Sequence, residues 1–128
     1  MPHFIVEYTD NIEEEVEINK LLEKIHAILI SHGDVFPVGG IRSRAIELHD
    51  YRVADGAEDD AFVHATLKIG QGRSEDVKKQ VCDELFGVIK EHFAGLFSKR
   101  YLALSMELVE FNGVTYKHNN IHKRFKKE

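Results

Sequence analysis

The chain has 128 residues, 43% of them hydrophobic and 30% charged, with a formal charge of −5 at neutral pH. That length and balance predict one compact domain, 1–128, and exclude disorder; no apolar run reaches the roughly eighteen residues of a membrane span. Cys82 is the sole cysteine, which excludes an internal disulfide and a cysteine-held zinc, and the acidic surplus argues against nucleic acid.

The N-terminus, Met1-Pro2-His3-Phe4, carries no basic stretch ahead of an apolar core and no small-residue cleavage site, so a cytoplasmic location is expected. Phe4, Val6 and Tyr8 alternate with Ile5 and Glu7, which suits a strand. Thr9, Asp10 and Asn11 are turn and N-cap types, and Glu13, Glu14 and Glu15 are favourable beside the positive end of a helix. Ile18, Leu21, Leu22, Ile25, Ile28 and Leu29 recur at helical spacing, with Gly33 as a stop. Phe36-Pro37-Val38-Gly39-Gly40 reads as a loop, and a second strand is predicted from about Ile41 to Tyr51.

The linker Ala54–Asp60 precedes a second half on the same plan. Ala61, Val63, Ala65, Leu67 and Ile69 form one face of a strand. Gly70-Gln71-Gly72-Arg73 is a tight connection, too short of the phosphate-loop pattern to be more. Ser74 is an N-cap with Glu75 and Asp76 in the first turn, and Val77, Val81, Leu85, Phe86, Ile89 and Phe93 mark a helix face that Gly95 ends. A last strand, from about Tyr101 to Phe111, places Leu102, Leu104, Met106 and Leu108 on one side.

The pattern is a duplicated β-α-β, with pseudo-repeats at about 2–53 and 61–111 and a C-terminal tail, 112–128. Each crossover helix makes its flanking strands parallel. The fold class is therefore α/β (α+β), a four-stranded mixed sheet with two helices on one face. The other face mixes Phe62, His64, Thr66 and Lys68 with Ala103, Ser105 and Glu107, a poor surface for a monomer, so an oligomer is expected. The same element order also describes the ferredoxin-like split β-α-β fold.

Several blocks then carry a resemblance. Pro2 opening the first strand of a duplicated β-α-β resembles the tautomerase superfamily. Pro2-His3-Phe4-Ile5-Val6-Glu7, Gly40-Ile41-Arg42-Ser43-Arg44 and Ala54-Asp55-Gly56 resemble its 5-carboxymethyl-2-hydroxymuconate isomerase branch. So do Ala61 through Gly70, Gly72-Arg73-Ser74 and Asn119-Asn120-Ile121-His122, which together span nearly the whole chain in order. The resemblance implies a tautomerase-like fold, a homotrimer and no metal or organic cofactor. It implies a cofactor-independent isomerase in homoprotocatechuate breakdown, downstream of 4-hydroxyphenylacetate. The substrate would be a small anionic unsaturated acid, and the general base the nitrogen of Pro2.

Pro2 is basic only as the chain terminus; with Met1 attached its nitrogen is an amide. Burial and nearby cations lower the pKa of a terminal amine toward working pH, where a general base is most effective. Arg42 and Arg44, two apart on a strand, share a face. Arg73 precedes the second helix, whose N-terminus at Ser74 adds N–H groups suited to a carboxylate. Pro2, Arg42 and Arg73 are the candidate catalytic residues and Arg44 a candidate substrate-binding residue, with Pro2 and an arginine contributed by different subunits as one arrangement. The competing roles are ion pairs of Arg42 and Arg44 with Glu47 or Asp50, and of Arg73 with Glu75 or Asp76.

His64 reads as a hydrogen-bonded sheet residue, the other histidines lack a metal-ligand spacing, and Cys82 reads as packing. The basic stretch His122–Lys127 is expected to be solvated or docked on an acidic neighbour. Two further functions stay open at this level: a related tautomerase on another 2-hydroxydienoate or enol acid, and, from the ferredoxin-like alternative, a small-molecule or RNA-binding module. For the latter, Ala61-Phe62-Val63 is a faint match to an RNA-recognition strand, with too few basic and aromatic residues around it.

Overall fold

Alternation in the first segment translates into burial: Phe4, Val6 and Tyr8 face inward, and His3, Ile5 and Glu7 stay half-exposed, in strand β1 (His3–Thr9). The computed structural model describes residues 1–125; Lys126 and Lys127 of the basic stretch, with Glu128, lie outside the described residues. Strand β3 (Ala61–Ile69) repeats the alternation, burying its odd-numbered residues and leaving Phe62, His64, Thr66 and Lys68 on the opposite face. Strands β2 (Arg42–Leu48) and β4 (Leu102–Glu110) lie at the edges of a four-stranded sheet in the order β2-β1-β3-β4.

The pairings β1–β2 and β3–β4 are parallel, and the central pair β1–β3 is antiparallel. A split β-α-β unit puts another strand between the two that its helix joins. Here β1 lies directly beside β2, and β3 beside β4, so the ferredoxin-like alternative falls, and with it the binding-module reading built on it.

Helix α1 (Ile18–Ser31) buries Leu21, Ile25 and Leu29, and helix α2 (Glu75–His92) buries Val81, Leu85 and Ile89, all in one core with the inward strand residues. Both helices thus cover one face. Ser74 caps α2, its side chain accepting a hydrogen bond from the Val77 N–H. Cys82 packs against the core, and burial raises its thiol pKa. His64 bonds Ser105 Oγ at 2.7 Å and Glu107 Oε1 at 3.1 Å across the sheet, and His32 joins the helices through Glu84 Oε2 at 2.8 Å.

Three local expectations need correcting. Glu13–Glu15 do not occupy the first turn of α1. A 3-10 turn at Asp10–Ile12 intervenes, and Glu17 enters the helix in a left-handed conformation, φ 44°. Ile12 and Val16 are both buried, and side chains of the second half take the nearby carbonyls: Arg100 bonds Asn11 O and His92 bonds Val16 O. Those carbonyls therefore have partners without a helix. Second, α2 breaks at Phe93, not Gly95; Gly95 lies inside a one-turn helix α3 (Ala94–Phe97). Phe93 is 1% exposed, so core packing sets the break. Third, the tail is anchored on its own chain through Asn119 and His122, not on a neighbour, while Lys123 and Arg124 stay exposed, as the solvated alternative expects. Its turn Ile121–Phe125 packs against Gly39, where a Cβ would come within 2.9 Å of the His122 backbone, and Asn119 Nδ2 donates to Gly39 O at 3.0 Å.

Candidate active site

The parallel register of β1 and β2 sets His3 beside Arg42 and Ile5 beside Arg44, and the antiparallel register of β1 and β3 sets His3 beside Lys68. His3, Ile5, Arg42, Arg44 and Lys68 therefore share the sheet face that the helices leave uncovered. Pro2 is buried just ahead of β1, and its carbonyl accepts the Arg42 N–H at 3.0 Å, which pins the start of the chain to β2. Gly40 backs it: a Cβ there would lie 3.6 Å from Met1 Cα.

Arg42 Nη1 donates to Gly40 O at 3.0 Å. Arg44 Nη1 bonds His3 Nδ1 at 3.1 Å. Arg73 donates to Gly70 O at 2.9 Å and Val35 O at 3.0 Å, lies 5.1 Å from the Phe36 ring centroid, and keeps a buried Nε without a partner. Among the described residues, none of these three arginines pairs with a carboxylate, nor do Lys68 and Lys117. The ion pairs weighed for the arginines are taken by others: Lys78 pairs Glu75, and Glu47 accepts from the Tyr8 hydroxyl. The Ser74 hydroxyl occupies one of the N–H groups expected to serve a carboxylate.

These cations act on the chain terminus. Burial, then the charges of Arg73, Lys117 and Arg42, hold the N-terminal amine below its ordinary value of 8.0. Beside it lies a cavity of about 330 Å3 whose walls include Met1, His3, Gly70, Phe111, Tyr116 and Lys117. Of the candidate residues, Pro2, Arg42 and Arg73 thus gather around the terminus, and Arg44 reaches it through His3. His3, Lys68, Phe111 and Lys117 complete the surroundings and were not singled out from sequence. Register with Arg42 marks out His3 and Lys68, while Lys117 and Phe111 arrive only through the path of the chain after β4.

A second cluster lies at the other end of β1 and β2, where one ligand atom each of Asp10, Glu47 and His49 fall within 4.8 Å of one another. His49 Nδ1 and the Tyr51 hydroxyl both bond the Asp10 carboxylate, at 2.9 and 3.1 Å. No ligand spacing in the sequence announces this group; the parallel pairing of two distant segments makes it.

The sequence and the architecture have counterparts among known proteins. The family model described as 5-carboxymethyl-2-hydroxymuconate isomerase matches residues 2–125. A 5-carboxymethyl-2-hydroxymuconate Delta-isomerase of Escherichia coli is 47% identical over 127 residues, covering 98% of this chain and 100% of its own. The crystal structure of a 5-carboxymethyl-2-hydroxymuconate isomerase from Deinococcus radiodurans R1 is similar at 52% identity and TM-score 0.94, with 98% of this chain and 95% of that one covered. A fused 4-OT protein described as a symmetric trimer shares the fold at 13% identity and TM-score 0.64, covering 91% of this chain and 93% of its own.

Proposed function

The chain belongs to the 5-carboxymethyl-2-hydroxymuconate isomerase family, and from that premise we propose that it isomerises 5-carboxymethyl-2-hydroxymuconate with Pro2 as the general base. The observation that carries the reading is local charge. In a chain of net charge −5, Arg42, Arg73 and Lys117 act on the terminus and Arg44 and Lys68 on the adjoining His3, all without a carboxylate partner among the described residues. A tricarboxylic acid is the complement of such a cluster.

The substrate's name describes a six-carbon diene diacid with a hydroxyl on C2 and a carboxymethyl branch on C5. Once Met1 is removed, the Pro2 nitrogen is a secondary amine. Its carbonyl accepts the Arg42 N–H, and the cations that lower the pKa of the Met1 amine, one residue away, would act on the Pro2 nitrogen in the same direction. The O–H bond at C2 breaks and its proton passes to Pro2. The resulting dienolate spreads its negative charge from O2 to C5. Pro2 then returns the proton to C5, leaving a ketone at C2 and one double bond between C3 and C4. No electrons are gained or lost, so the change is a proton relocation. The surrounding cations lower the barrier by stabilising the dienolate more than the starting acid.

The test is ultraviolet loss of the conjugated dienol, with intact mass first establishing that Met1 is absent. Pro2→Ala should lower kcat about 10²- to 10⁴-fold, the usual contribution of a positioned base. Wild-type turnover no faster than buffer would sink the substrate assignment, and full activity in the variant would remove Pro2 from the mechanism.

The working form is proposed to be a homotrimer. Tyr101 is 79% exposed, Val114 83% and Tyr116 95%, and Ile5 and Ile46 lie on the uncovered sheet face. Apolar side chains left so open in one chain are supplied with partners by further copies. Light scattering should give three times the 14.7 kDa of the single chain.

A further inference from the structure

His3 contributes to the cavity wall beside the terminus and is fixed on both sides. Arg44 Nη1 lies 3.1 Å from its Nδ1. A guanidinium only donates, so Nδ1 must accept, and the single proton of a neutral ring belongs on Nε2. The Phe111 ring meets the imidazole edge-on, with centroids 6.0 Å apart, and Lys68 lies 5.3 Å from the centroid of that phenyl ring. Among the described residues Nε2 makes no hydrogen bond of its own. Among the described residues, the charged groups that act most on the ring are cationic: Arg44, Arg42, the terminal amine and Lys68. With burial they lower its pKa from 6.5, so the ring is neutral at pH 7.

We propose that His3 is a further catalytic residue, a neutral imidazole whose Nε2–H donates a hydrogen bond to O2 of the substrate as the dienolate forms. The inference rests on the isomerase reading given above. The cavity that holds the substrate beside the chain terminus has His3 in its wall, and O2 must approach the terminus to surrender its proton. Neutrality has a chemical purpose. An imidazolium would return its proton to O2 and regenerate the starting dienol. A neutral ring keeps its proton, stabilises the oxygen as charge grows there, and leaves Pro2 to deliver the proton at C5. Arg44 is then a positioning residue, since its bond to Nδ1 fixes the tautomer that carries the proton on Nε2.

Two measurements test this on mass-verified protein lacking Met1. Long-range 15N–1H correlation spectra of the wild type should show Nδ1 unprotonated and Nε2 protonated across neutral pH. Arg44→Met should let both tautomers appear. A wild-type spectrum with Nδ1 protonated, or a charged ring at pH 7, overturns the assignment whatever the activity. In the ultraviolet assay, His3→Phe should lower kcat about 100-fold with little change in KM, as loss of one oxyanion donor does. His3→Gln, whose amide N–H reaches a similar place, should recover much of the loss. An unchanged kcat in His3→Phe, or a loss confined to KM, overturns the proposal; thermal melts of both variants separate misfolding from chemistry. Should the wild type fail to turn over the hydroxymuconate, the substrate reading falls with the acceptor oxygen, and the spectra still decide the tautomer.

Discussion

Under the proposed mechanism a single peptide bond, Met1 to Pro2, decides whether the Pro2 nitrogen can serve as the base. The surroundings that tune the amine act chiefly by burial, and then through Arg73, Lys117 and Arg42. Removing one of these cations removes a lowering influence, so the base stays protonated to higher pH. Lys117→Met is the cleanest case because Lys117 is exposed and forms no ion pair among the described residues. The acid limb of its kcat/KM profile is expected to move to higher pH, with loss of rate at about pH 6 exceeding that at about pH 8 and with an unchanged melting temperature. A profile superimposable on wild type would remove Lys117 from the amine's environment. The shared face of Arg42 and Arg44 was legible from strand parity, whereas the roles proposed for Pro2, Arg42, Arg44 and Arg73 rest on the family resemblance. Lys68 was visible only as one residue of a mixed sheet face. His3 and Lys117 were hidden, since their importance comes from a register and a returning chain that periodicity does not encode.

The elements hold this site from both ends of the chain. Gly39→Ala would drive a methyl group into the His122 backbone, within 2.9 Å, so the turn Ile121–Phe125 must move off the loop behind the terminus. Faster amide exchange in that turn, together with a lower kcat/KM, is the expected result; unaltered exchange would mean the loop itself gives way. In the core, Leu85 is fully buried in α2, and Leu85→Ala should cost about 2–5 kcal/mol in denaturant unfolding. At the opposite end of β1, the Asp10 hydrogen bond raises the pKa of His49, and the same bond lowers that of Asp10. The His49 contribution is present below its unfolded pKa and lost as pH rises through the folded one; the Asp10 contribution is lost as pH falls through its lowered value. His49→Ala should therefore lower the melting temperature at about pH 5.5 and leave it nearly unchanged at about pH 8.5. Helices α1 and α2 were readable from apolar spacing. Their true limits were not: ahead of α1 the carbonyls of Asn11 and Val16 find partners some eighty residues away in sequence, at Arg100 and His92, and the burial of Phe93 ends α2.

Across the whole molecule, the uncovered sheet face joins chemistry to assembly, since Arg42, Arg44 and Ile46 alternate on one edge strand. Ile46 is 44% exposed and lies past the cations on that strand. If the proposed trimer forms through this face, a charge introduced by Ile46→Glu is expected to split it, seen as a lower mass by light scattering, and to make activity depend on protein concentration; a variant whose mass and activity match wild type would place the interface elsewhere. The duplication carries a further consequence, concerning stoichiometry. Two copies of the β-α-β unit would ordinarily offer two equivalent pockets, yet a chain has one beginning. Phe62 and Ala103 pair in the second unit as His3 and Arg42 do in the first, so Ala61 stands in the place of Pro2, but its nitrogen is an interior amide, and the hollow it lines includes Glu58, Asp60 and Tyr101. A circular permutant starting there would present its amine to carboxylates that keep it protonated. With a terminal amine as the proposed base, the number of working centres per chain is set by how many ends the polymer has and by the sign of the charge that greets them.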